Sequence, residues 1–250
     1  MPEPERQAFL DANVLRGHLQ TDVLLTLADN GAFTPRWSAE VLDEVRRNRP
    51  PGLSEEAIDR RLNAMNKAFP RAMVTGYEHL VPEMQADAKD KHVLAAAVHS
   101  ESTVLVTENV KDFSPPTTGP HAIQVDKTSA FLNKLVSDNP ERAVAAMKQM
   151  ISRTSREPNT LPALIEKLAA QRDLKGFAER LNAVVPPDQR STEVGRTPIQ
   201  RSSASAVEKS PASIALDGVA PAAGATKTPA SKPESSKAFQ PEGNGPDVER

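Results

Sequence analysis

Short apolar runs punctuate the first half of the chain, AFLD at 8–11, AMVT at 72–75, TVLVT at 103–107 and AIQV at 122–125, and between them the hydrophobic period lengthens to that of a helix. A helix is expected over roughly 21–29. Ser38 is placed to cap a second helix whose apolar positions are Ala39, Val41, Leu42 and Val45, and Ser54 a third with Ile58, Leu62, Met65 and Phe69 along one face. A fourth is expected to start at Asp87 and run through HVLAAAVHS. Strands alternating with helices specify an α/β domain with a central parallel sheet flanked by helices, here assigned to 1–136 with its ordered part from about 5. Residues 137–185 carry only helical patterns, PERAVAAMKQMI and LPALIEKLAAQ among them, and are expected to form a small helical extension.

From 186 the composition shifts. Nine of the 22 prolines fall in 186–250, mixed with Ser, Ala, Thr and Gly, and Phe239 is the only aromatic residue there. Such a segment buries too little apolar surface to offset its ordering entropy, so disorder is expected over 186–250. Its eight acids and eight bases cancel, which argues against an electrostatic tail. No internal repeat is visible.

Bulk properties exclude several classes. The formal charge of −2 provides no global basic field, so a nucleic-acid partner would have to meet a local patch. Without cysteine there is no disulfide framework and no thiolate nucleophile or metal ligand. The segment MPEPERQAFLD lacks the basic and apolar regions of a signal peptide, and no apolar run is long enough to span a bilayer; a cytoplasmic protein with no membrane partner is expected. The histidines at 18, 79, 92, 99 and 121 show no i, i+4 pair or HExxH spacing, which argues against zinc, and His92 and His99 read as packing or surface residues. No phosphate-binding glycine loop and no GxSxG motif is present.

The acids fall where an open parallel sheet collects functional groups, at the carboxyl ends of its strands. Asp11 closes the first strand inside FLDANVL, Glu44 lies on the helix after Ser38 with Glu40 one turn before it, Asp87 and Asp90 open the HVLAAAV helix, and Asn109 and Asp112 follow TVLVT. Taken singly, most have ordinary explanations: Asp87 and Asp90 suit a helix start, Glu44 a solvated helix face and Asp112 a turn. Asp11 does not, because the next helix is expected well after it and its neighbours Phe9, Leu10, Val14 and Leu15 are apolar. Converging carboxylates need raised pKa values or cations, and an all-oxygen set suits magnesium or manganese.

The set FLDANVL, SAEVLDEV, DAKDKHVLAAAV and VLVTENVKDF resembles the PIN-domain ribonucleases found as VapC-type toxins of bacterial toxin–antitoxin systems, with four motifs in register over roughly 6–126. The resemblance implies a Rossmann-like fold and metal-dependent hydrolysis of RNA phosphodiesters by water. It carries acidic roles to Asp11, Glu44, Asp90 and Asp112, with Asp11, Asp90 and Asp112 as ligands of Mg2+ or Mn2+. Asn13, Asp87, Thr107 and Asn109 become supporting residues, Asn13 orienting Asp11 or a water and Thr107 lining the crevice. Asn109 stands where many members have an acid, which leaves the last motif to Asp112. The implied partners are RNA, a cognate antitoxin covering the acidic crevice, and a second copy in a homodimer.

Local positive charge for RNA is offered by Lys89, Lys91 and Lys111 beside the acids and by Arg46 near Glu44, with Arg47 and Arg49 close by. Arg60 and Arg61 read as a solvated helix face, and Trp37 and Phe113 as core residues rather than base-stacking ones. A haloacid-dehalogenase-like phosphatase would need DxDx[TV], which Asn13 and Leu15 break. The remaining alternative is a non-catalytic PIN-fold module that binds RNA or a partner, in which four costly carboxylates would have no purpose.

Overall fold

The computed structural model describes residues 6–153 and 157–194. Five parallel strands, β1 (Gln7–Leu10), β2 (Thr34–Ser38), β3 (Met73–Val74), β4 (Val104–Val106) and β5 (Gln124–Asp126), form one sheet in the order β3-β2-β1-β4-β5. The chain winds outward from β1 through β2 to β3, crosses back to the other side of β1, and winds outward again through β4 to β5. The reversal lies between β1 and β4, where Ala8 to Leu10 pair with Val104 to Val106. A crevice opens at the carboxyl end of such a switch point.

Helices flank the sheet: α1 (Ala12–Arg16), α2 (His18–Asp29), α3 (Ala39–Arg47), α4 (Glu55–Ala68) and α5 (Lys91–His99). Ser38 and Ser54 cap α3 and α4 as expected, accepting from the N–H groups of Val41 and Ala57. Two elements depart from the sequence reading. The helix expected at 21–29 begins at His18, and α1 precedes it. Five residues are too few to show helical period, so α1 leaves no pattern in the sequence.

Strand β2 was also not expected, since TPRWS carries a proline and an arginine. Its alternation explains the tolerance. The Thr34 N–H donates to Arg6 on the β1 side and the Trp37 N–H to Ala72 on the β3 side, so Pro35 faces the β3 side, where β3 pairs only with Trp37 and Ser38. No ladder bond is lost at Pro35. Trp37 is fully buried, stacked edge-on against Phe69 and donating its indole N–H to Asn66, and Phe113 is buried too.

The C-terminal helices α6 (Thr128–Asp138), α7 (Pro140–Ser152), α8 (Leu161–Ala169) and α9 (Lys175–Val184) complete the described structure. They share one hydrophobic core with the sheet: α7 packs on α2, and Phe131 of α6 sits edge-on to Phe33 just before β2. The segment expected to be disordered from 186 begins with a 3₁₀ turn at Pro187–Gln189 and a buried Ser191, whose N–H and carbonyl bond the Asn182 side chain and whose hydroxyl donates to Glu166. The rest of that expectation, 195–250, lies outside the described residues. Among the described residues no helix is long and apolar enough to cross a membrane.

A shared core makes unfolding one cooperative event. Phe131→Ala should destabilise the whole protein by about 3–5 kcal/mol, a cost typical of emptying a buried aromatic site. Denaturant titration should show a single transition at a lower midpoint, with sheet and extension signals moving together.

Candidate functional site

Asp11 follows β1 directly, its N–H bonded to the Val106 carbonyl of β4, and its side chain is 6% exposed. Contrary to the sequence reading, it does cap a helix: Oδ1 accepts from the Ala12 N–H at 2.6 Å at the start of α1. Oδ2 accepts from the Thr107 hydroxyl at 2.6 Å and from the Asn13 amide at 2.7 Å. Asn13 in turn accepts from the Glu108 N–H, and Thr107 Oγ1 from the Asn109 N–H. The residues after β1 and after β4 are thus knotted together across the switch point, with Asn13 and Thr107 orienting Asp11. Burial still raises the Asp11 carboxyl above its ordinary value, against the lowering effect of these donors, and the charge of Asp90 adds to the rise.

Asp87, Asp90 and Asp112 form a second group, each offering an oxygen within 4.8 Å of the others. A backbone pairing brings them together. The Asp87 N–H donates to the Asp112 carbonyl, Ala86 bridges Phe113, and the Ser114 N–H donates to Gln85. Residues 87–90 form a turn rather than the expected helix start. Helix α5 begins at Lys91, and Asp90, in its capping position, makes no side-chain cap bond. Capping therefore does not account for Asp90. Its Oδ2 is buried without a hydrogen-bond partner, and its carboxyl is raised by burial and by the charges of Asp112 and Asp87. The exposed Lys89 ammonium stands 3.7 Å from Asp90 and 3.8 Å from Asp112, beyond hydrogen-bond reach, and offsets part of this charge from the solvent side.

From α3, Glu44 is close enough to Asp11 and Asp90 for their charges to raise its carboxyl, burial being the larger cause. His92 on α5 opposes that rise: Nε2 lies 2.9 Å from Glu44 and Nδ1 3.2 Å from Glu40. The sequence reading missed this contact, since no local pattern tells which helix faces α3. Asn109 is exposed, at the start of the 3₁₀ turn that holds Asp112.

Of the basic candidates, Lys91 and Lys111 make no ion pair among the described residues, whereas Arg46 is committed to Asp43 and to Asp59, the latter at 2.6 Å. Arg46 thereby links α3 to α4. Arg61, expected on a solvated face, instead donates to the Leu15 carbonyl at 2.9 Å.

The donor set fits a hard divalent cation. It is all oxygen, it converges from two segments, and one of its oxygens is buried without a hydrogen-bond partner. Asp11 stands outside the trio of mutually closest oxygens, and Asp87 takes the third place in it.

Comparison with known proteins bears on the same residues. A PIN-domain family model matches residues 7–111, and a model of the VapC50 C-terminal domain matches 129–183. The chain is 30% identical over 141 residues to "Putative ribonuclease VapC50" of Mycobacterium tuberculosis (strain ATCC 25618 / H37Rv), an alignment covering 56% of this chain and 82% of the relative. No solved structure matches it. The chain belongs to the VapC-type PIN-domain family. The second match begins within α6.

The raised carboxyls set the pH response of the metal-free protein. Between the ordinary and the raised values the native state holds more protons than the unfolded chain, so stability falls as pH rises through that interval. Asp90→Asn should relieve part of this cost, raising the neutral-pH Tm in EDTA by about 2–4 °C for each kcal/mol relieved and flattening its pH dependence. Thermal melts across a pH series check both.

Proposed function

We propose that the protein is a metal-dependent endoribonuclease that hydrolyses RNA phosphodiester bonds in the cytoplasm as the toxin of a toxin–antitoxin pair. The observation that carries this reading is the grouping of Asp87, Asp90 and Asp112, one of whose buried oxygens has no hydrogen-bond partner, with Asp11 and Glu44 near enough for their charges to act on the same carboxyls. Family membership and the ribonuclease name of the relative support RNA as the substrate.

Asp90 and Asp112 would hold the ion, with Asp87 or Asp11 completing the set. Asp11 retains acceptor capacity for this at Oδ1, which takes one hydrogen bond where Oδ2 takes two. Bound magnesium or manganese supplies charge neutralisation and Lewis acidity for phosphoryl chemistry. Glu44, its carboxyl raised by burial and so a better proton acceptor, takes the proton of the attacking water. Lys91 and Lys111 are free to meet RNA phosphates, and Lys89 moves between the carboxylates and the substrate backbone. A cognate antitoxin would silence the enzyme by covering the crevice with an arginine paired to these acids, and a homodimer would follow family habit.

Purified protein incubated with a panel of structured RNAs should cut with Mg2+ or Mn2+ and not with EDTA. Asp90→Asn and Asp112→Asn should each lower kcat by roughly 10²–10³-fold, the scale of losing one electrostatic stabiliser of a transition state. Cleavage that persists in EDTA or in both variants would sink the reading.

A further inference from the structure

His92 is two residues beyond Asp90 on α5, and its ring reaches across to α3 with a side chain only 15% exposed. Glu40 and Glu44 are one helical turn apart on α3, and the ring lies against both, Nε2 at 2.9 Å from Glu44 Oε1 and Nδ1 at 3.2 Å from Glu40 Oε2. Both contacts are ion-pair approaches, and they differ in distance and exposure: Nδ1 is buried and faces the largely exposed Glu40, whereas Nε2 lies closer to the less exposed Glu44. The shorter contact is the one to the acid nearest the site.

Glu44 needs such a restraint. Its side chain is a flexible one on a helix face, 30% exposed, and the charges of Asp11 and Asp90 repel it from the cluster it must join. Arg47, two turns after Glu40 and three residues past Glu44, attracts it as well, from its own helix. His92 attracts it from another element, α5, the helix that Asp90 immediately precedes.

Building on the nuclease reading, we infer that His92 is a positioning residue for Glu44: through Nε2 it holds the Glu44 carboxylate against the acid cluster and locks α3 to the turn that carries Asp90. It touches neither substrate nor metal in this role. The effect belongs in kcat, because what is lost without it is the placement of a proton acceptor and not the binding of RNA.

Side-chain replacement separates the two ring nitrogens, since a Gln amide nitrogen reaches about as far as Nε2 and an Asn amide nitrogen about as far as Nδ1. His92→Ala and His92→Asn should each lower kcat by about 10- to 100-fold with KM kept, the range typical of supporting partners in metal sites, and His92→Gln should restore most of it. An activity-independent arm follows the His92 ring by 1H–15N NMR in the metal-free full chain. Glu44→Gln should shift the Nε2 resonance, and Glu40→Gln should shift mainly Nδ1. Unchanged ring resonances in Glu44→Gln, rescue by Asn and not by Gln, or wild-type kcat in His92→Ala would overturn the inference. Wild-type protein that cuts no RNA while the Nε2 resonance shifts in Glu44→Gln would instead uphold the contact and remove the nuclease reading.

Discussion

The buried carboxylate of Asp11, tied to Thr107 and Asn13, is the interaction on which the rest of the structure depends. Burying that charge is costly unless donors meet it, and the donors come from both sides of the switch point: the Ala12 N–H and Asn13 after β1, and Thr107 after β4. The knot therefore fixes how the ends of β1 and β4 sit against each other, and through Glu108 and Asn109 it sets the path of the loop that delivers Asp112. Asp90 has no such support. Its buried oxygen has no hydrogen-bond partner, and against the charges of Asp87 and Asp112 it has only the exposed Lys89 at 3.7 Å, so the site combines one well-satisfied carboxylate with a second that is poorly compensated. In the proposed function a divalent cation would supply the missing counterpart.

Much of this was legible in the sequence because it rests on local chemistry. The runs at 8–11 and 103–107 are buried strands, so their apolar character is continuous, and the acids that follow them stand out as exceptions. Ser38 and Ser54 mark helix starts by a hydrogen bond made within three residues. What escaped the reading is either too short or set by tertiary contact. Helix α1 has too few residues to show a period. Strand β2 hides behind Pro35, whose missing N–H is harmless only because β3 is two residues long. The pairing of residues 85–87 with 112–114, which makes Asp87 a neighbour of Asp112, is a long-range event with no local signature.

The same distinction holds for charged side chains. Lys91 and Lys111 make no ion pair among the described residues, whereas Asp43 and Asp59 meet Arg46 from two helices, which no local pattern shows. His92 packs as a mostly buried residue, as expected, but its acidic neighbours on the facing helix leave no local signature. The C-terminal helices belong to the same account. Their apolar faces were readable, but their union with the sheet into one core was not, since it depends on Phe131 meeting Phe33 and α7 meeting α2.

The central claim is that the acids at the switch point form a cation site, and manganese anomalous diffraction from crystals of the full chain tests it most directly. The account predicts a peak bounded by Asp90 and Asp112, at roughly the 2.0–2.2 Å expected of a small divalent ion and its oxygen ligands, with Lys89 displaced from between them. Well-ordered carboxylates with no peak at saturating manganese, or a peak held elsewhere on the protein, would contradict it.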